Sequence, residues 1–141
     1  MSAHTDCFYC EQDQRQAVLM VKAGDMSASS LVVFKEQSYA GRCVVAYRHH
    51  VNELIELADA ERDAFCKDVA DAARPINTAF RPVKISYGAY SDKLGHLHMH
   101  LVPKYVDGPD YGATFRMMPE PRILQSDADY VELAARIRAA L

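Results

Sequence analysis

Two apolar runs, residues 30–34 and 43–47, flank a polar stretch that closes at Gly41; they predict two β-strands joined as a hairpin. Upstream, residues 11–16 are polar and 17–22 apolar, and Ala23-Gly24-Asp25 reads as a turn. Asp59 is placed as the N-cap of a helix, with Ala64, Phe65, Val69, Ala72 and Ala73 recurring at helical spacing. Pro75 is expected to kink or end it, and Pro82 separates it from a strand over 83–90 with Ile85 and Tyr87 on one face. Ser126 and Asp129 resemble a capping box opening a last helix to Leu141 along Val131, Ala134 and Ile137. The order predicts an α+β fold: a mainly antiparallel sheet, a long helix after the first strands and a C-terminal helix. No repeat or linker divides the chain, so residues 1–141 are read as a single domain.

The clearest alternation is Gly95-His96-Leu97-His98-Met99-His100-Leu101-Val102-Pro103, reached through the loop 91–95. A period of two places Leu97, Met99 and Leu101 on a core face and His96, His98 and His100 in a row on the other. A solvated strand face is the bland reading of one such histidine. Three together place nucleophiles, proton carriers or metal ligands side by side, all titrating near neutral pH. Strand residues two apart are separated by roughly 6.6 Å, so His96 and His100 lie about 13 Å apart and all three rings cannot easily share one ion. A division of labour among them fits better.

Bulk properties narrow the class. The chain has 141 residues, half of them hydrophobic and 25% charged, enough for a real core. A net charge of −3 argues against nonspecific nucleic-acid binding. No apolar run approaches the ~20 residues of a membrane span, and no signal-peptide pattern opens the chain. Four cysteines without a signal read as thiols or metal ligands, which points to a cytoplasmic location. Cys7 and Cys10 have the spacing for one tetrahedral zinc, with cysteines that merely pack as the alternative. Cys43 and Cys66 fall on apolar positions and are expected in the core.

The segment His96-Leu97-His98-Met99-His100-Leu101-Val102 resembles the His-x-His-x-His-x-x signature of the histidine triad superfamily, in which x is hydrophobic. Gly41-Arg42-Cys43-Val44-Val45-Ala46-Tyr47-Arg48-His49-His50, followed by Leu54 and Leu57, is similar to the superfamily's upstream segment. Cys7-Phe8-Tyr9-Cys10 resembles the Cys-x-x-Cys of its zinc-containing bacterial branch. This resemblance implies a nucleotide hydrolase or nucleotidyl transferase acting on nucleoside phosphoramidates or dinucleoside polyphosphates. It implies His98 as the nucleophile and His100 as the contact to phosphate or leaving group. It also implies a structural zinc on Cys7, Cys10, His50 and His96, with His49 the competing ligand, and a homodimer as the assembly.

The loop before the triad departs from the family pattern. Asp92 and Lys93 stand where a glutamine and a serine or threonine are usual, with Ser91 beside them. Ser91 and Lys93 are therefore the candidate substrate-binding residues; an ordinary polar turn is the alternative. The segment 35–41 is short by the same comparison, and Lys104 is placed as an exposed strand-end lysine that can approach phosphate. Two other functions stay open: a nucleotide- or partner-binding protein without turnover, and a metalloenzyme using two triad histidines with Asp92.

Overall fold

Five strands, β1 (Met20–Asp25), β2 (Ser29–Phe34), β3 (Cys43–Tyr47), β4 (Lys84–Gly88) and β5 (His98–Lys104), form one sheet in the order β1-β2-β3-β5-β4. Every neighbouring pair is antiparallel, and β2 and β3 form the expected hairpin from Ser29↔Tyr47 to Val33↔Cys43. The helices are α1 (Phe8–Glu11), α2 (Gln14–Leu19), α3 (Asp59–Phe80) and α4 (Asp127–Ala139). This is the computed structural model of residues 6–141; the first five residues of the expected 1–141 domain lie outside those described. The α+β class, the long helix after the first strands and the C-terminal helix are as the sequence predicts. No helix among the described residues is long and apolar enough to cross a membrane.

Alternation sorts the two faces of the sheet. Leu31, Val33, Cys43, Val45, Leu97 and Leu101 meet Phe65, Val69, Ala72 and Ile76 of α3 and Leu133, Ala134 and Ile137 of α4. Val32, Phe34, Val44 and Ala46 turn the other way and are covered by Cys7, Tyr9 and Met20. The middle strands are therefore buried on both faces, which is why they read as unbroken apolar runs.

Several local expectations are corrected. Ala23-Gly24-Asp25 is not a turn but the end of β1, where the register shifts between Lys22 and Gly24 and Ala23 is the extra residue of a bulge. The chain turns after it, with Met26 N–H bonded to the Ser29 carbonyl. Asp59 is the first residue of α3 rather than its cap; the cap is Ala58, whose N–H is taken by the Glu61 carboxylate at 3.3 Å. Pro75 does not end α3. An interior proline costs about 3 kcal/mol, but here its ring is buried within the apolar stripe that holds the helix on the sheet. Cys66 is exposed, one position off that stripe beside buried Phe65. Along α4 the buried face is Tyr130, Leu133, Ala134 and Ile137, leaving Val131 exposed, and the Ser126 cap accepts from Asp129 N–H. The strand expected over 83–90 is confined to β4, with Ile85 buried and Tyr87 exposed.

Asp68 on α3 is buried and accepts from Ser27 Oγ and from Ala28 N–H, both at 2.7 Å, tying the β1–β2 connection to the helix. Asp68→Ala leaves both donors unsatisfied and should cost about 2 kcal/mol. Urea unfolding should show a lower midpoint with an unchanged slope.

Candidate functional site

The histidine strand starts two residues later than its motif. β5 begins at His98, while His96 and Leu97 precede it, with Leu97 N–H bonded to the Val51 carbonyl and its own carbonyl accepting from Tyr47 N–H. The side-chain alternation still holds: Leu97, Met99 and Leu101 join the helix-side core, and the histidine face is opposite. That face is not solvated. His96, His98 and His100 are 1%, 7% and 2% exposed, because the N-terminal arm and the stretch 105–118 cover it.

His96 belongs to a side-chain cluster. Its Nδ1 lies 3.3 Å from Cys7 Sγ, 3.4 Å from Cys10 Sγ and 3.4 Å from His50 Nδ1, and Cys10 Sγ is 3.2 Å from His50 Nδ1. All four ligand atoms fall within 4.8 Å of one another. Zinc bonds of about 2.0–2.3 Å in a tetrahedron give ligand-to-ligand edges of roughly 3.3–3.8 Å, and the four spacings of 3.2–3.4 Å are close to that range. The second shell fits too. His96 Nε2–H donates to the Tyr47 carbonyl at 2.7 Å, which leaves Nδ1 as the lone-pair nitrogen facing the thiols. Of the two neighbouring histidines, His50 enters the cluster and His49 stays exposed with its ring against Tyr47. His98, His100 and Asp92 form no such group among the described residues, which removes the support for a metal held by two triad histidines and Asp92.

His98 and His100 line a cavity of about 630 Å³ with Phe8, Tyr9, Met20, Phe34, Phe115 and Met117 among its walls. His98 Nδ1–H donates to the backbone carbonyl of His96 at 2.6 Å. The acceptor belongs to the residue two positions earlier. Nδ1 is thereby the protonated nitrogen, and Nε2 keeps its lone pair. Burial pushes the His98 pKa below its usual value, so the ring is held neutral. Tyr9 lies against it, with ring centroids 4.9 Å apart.

His100 is 5.2 Å from His98, ring to ring, and its Nδ1 is 3.1 Å from Arg42 Nη2. Burial first, then the Arg42 charge and His98, push its pKa down to about 2. The buried ring beside a guanidinium is neutral.

The candidate loop residues divide. Ser91, Asp92 and Lys93 all border the cavity. Ser91 is buried in the left-handed region (φ 61°), and its hydroxyl donates to the same His96 carbonyl at 3.1 Å. Its proton is thus engaged by the backbone. Lys104 does not approach the site; it is buried, donating to the Asp110 and Ala113 carbonyls at 2.6 Å each. Asp110 in turn accepts from the Tyr39 hydroxyl and from Arg116 Nε, which hold its carboxyl below the usual range. These contacts pin the stretch that presents Phe115, Met117 and Met118 to the cavity. None of the three, nor Arg42, is singled out by spacing. A charged residue directly beside the apolar run 43–47 was the one local sign of Arg42.

No protein-family model matches the chain. Protein hit of Bacillus subtilis (strain 168) is 27% identical over 81 residues, 54% of this chain and 56% of the relative, so the match spans about half the length of each. Solved structures cover far more. A histidine triad protein from Sinorhizobium meliloti 1021 superposes with a TM-score of 0.81 at 16% identity, over 92% of this chain and 95% of that one. A hypothetical histidine triad nucleotide-binding protein from Sulfolobus tokodaii strain7 gives 0.72 at 20% identity, over 95% and 91%. A zinc-bound histidine triad family protein from Mycobacterium smegmatis gives 0.66 at 15% identity, over 96% and 93%. The chain has the histidine triad fold.

Lys104→Met removes both charge-assisted donors to the 105–118 stretch and should cost about 2 kcal/mol. Limited proteolysis should then cut that stretch faster than in wild type.

Proposed function

We propose that this chain, acting as a single domain, is a nucleotidyl hydrolase or transferase. It attacks the α-phosphorus of a nucleoside phosphoramidate or dinucleoside polyphosphate through a covalent nucleotidyl-histidine on His98. The observation that carries the reading is the 2.6 Å bond from His98 Nδ1–H to the His96 carbonyl, which leaves an unprotonated Nε2 at the cavity.

In the first displacement the Nε2 lone pair forms a bond to phosphorus and the bond from phosphorus to the leaving group breaks. A polyphosphate departs as the anion with the electron pair, and an amine takes a proton from solvent as it leaves. The positive charge gained by the imidazole is shared with Nδ1–H, whose bond to the carbonyl strengthens as it becomes charge-assisted. Water then attacks phosphorus, the bond to Nε2 breaks, and the lone pair returns to the ring while a water proton goes to solvent. Nucleoside monophosphate is released. The division into two displacements replaces one difficult step by two easier ones. His100 and Lys93 are assigned to the phosphate oxygens; Ser91, with its proton on the His96 carbonyl, is assigned to holding that carbonyl in place. The aromatic and thioether walls suit a base held by stacking and dispersion.

Cys7, Cys10, His50 and His96 are assigned to one zinc ion, which would supply structural cross-linking of the arm to the active-site strand. The ordering of Phe8 and Tyr9 beside the cavity follows from that tie. Thiolate ligands of this kind suit a reducing, cytoplasmic setting. The homodimer that the resemblance implies is part of this proposal, and sedimentation of the purified protein tests it.

A second reading, nucleotide binding without turnover, is favoured by one observation. Asp92 borders the cavity where a phosphate would sit, and the Ser91 proton is already engaged.

Incubation with adenosine phosphoramidate and diadenosine polyphosphates should release nucleoside monophosphate from wild type, and His98→Ala should lower the rate by roughly a thousandfold or more. Equal rates in the two proteins would eliminate His98 as nucleophile; tight binding with no product in either would favour the second reading. Metal analysis should find about one zinc per chain, lost in Cys7→Ala and His50→Ala but kept in His49→Ala. Thermal unfolding should fall in the two variants that lose it.

A further inference from the structure

Arg42 is fully buried beneath the cavity floor, and no ion pair reaches it among the described residues. Its guanidinium carbon lies 4.1 Å from the Phe34 ring centroid and 5.2 Å from that of Phe115. Nη1 donates to the Arg116 carbonyl at 3.3 Å, and Nη2 approaches Met117 Sδ at 3.4 Å and His100 Nδ1 at 3.1 Å. Nε has no partner. A buried cation is costly to keep, and here two aromatic faces and a few neutral acceptors hold it in place of a carboxylate.

The contact to His100 has a definite sense. A guanidinium has five N–H donors and no acceptor. The imidazole nitrogen facing it must therefore be the one with the lone pair. We propose that Arg42 is a positioning residue: by donating to Nδ1 of His100 it locks that ring as the neutral Nε2–H tautomer and makes it a fixed hydrogen-bond donor at the cavity beside His98.

The groups that face His100 are Arg42, His98, Phe34 and Phe115, and none is a carboxylate that would draw a second proton onto the ring. Arg42 itself stays charged at neutral pH, since burial lowers its pKa only to about 10. A ring in this state offers an oriented N–H dipole to developing negative charge but does not give the proton up, because that would leave an imidazolate. Its contribution is electrostatic preorganisation rather than acid catalysis. The catalytic consequence rests on the nucleotidyl-transfer reading above; the tautomer does not.

Ring nitrogen NMR on histidine-labelled protein without substrate tests the proposal directly. In wild type His100 should show a bare Nδ1 and a protonated Nε2 from about pH 5 to 8, the range in which an ordinary histidine titrates. Arg42→Met should let the Nδ1–H form appear and lower kcat by roughly tenfold to a hundredfold, with KM little changed. Arg42→Gln retains an N–H donor without the charge and should restore the Nε2–H tautomer and part of kcat. Should Arg42→Met not fold, the wild-type spectrum decides alone. A His100 that carries its proton on Nδ1, or titrates as an imidazolium, overturns the proposal, as does an Arg42→Met spectrum identical to wild type. If no substrate yields nucleotide while the wild-type tautomer is as stated, the nucleotidyl-transfer reading fails and the positioning role of Arg42 stands.

Discussion

The backbone carbonyl of His96 is the point from which both halves of the site are set. It accepts the Nδ1–H of His98 and the hydroxyl of Ser91, while the ring of the same residue spans from the Tyr47 carbonyl to the two thiols. A carbonyl inside a strand ladder would be consumed by its partner strand. β5 begins only at His98, and the His96 oxygen accepts from side chains. One residue thus anchors the cysteine arm through its ring and fixes a neighbouring imidazole through its backbone. A displacement at residue 96 would be felt at both.

Water exclusion comes from two segments that are far apart in the chain. The arm carrying Phe8 and Tyr9 closes one side of the cavity, and the stretch held by Lys104, Tyr39 and Asp110 closes another. The arm is held by the packing of Cys7 and Tyr9 on the sheet, and the other stretch by the polar contacts of Lys104 and Asp110. The low dielectric they create keeps His98 and His100 neutral and strengthens every oriented dipole near them. The same covering explains why a face of three histidines is buried instead of solvated.

Unbroken apolar runs made β2 and β3 legible, and period-two alternation sorted Leu97, Met99 and Leu101 from the histidines. The Cys-x-x-Cys pair and His50 were legible through the family resemblance, and the cluster brings the four residues together. Illegible parts share a physical cause: their signal is non-local. Gly24 reads as a turn because a bulge in an edge strand leaves no periodic trace. Pro75 reads as a terminator because propensity knows nothing of the sheet beneath it. Arg42 required Gly41, whose φ of 92° and whose approach to Phe80, 2.8 Å from where a Cβ would stand, bring the chain into β3 at an angle that other residues resist. The aromatic faces that hold the guanidinium come from residues 34 and 115.

His98 and His100 are the same residue type, two positions apart on one strand face, and nothing in their local sequence distinguishes them. Their difference lies behind the rings. Nδ1 of His98 meets a carbonyl, which can only accept; Nδ1 of His100 meets a guanidinium, which can only donate. One ring is thereby left with a lone pair on Nε2 and the other with a proton there. Complementary roles from identical side chains need no difference in intrinsic pKa, only opposite polarity of the groups beneath them. A single fixed charge, sealed under the floor by two aromatic faces, is enough to supply it.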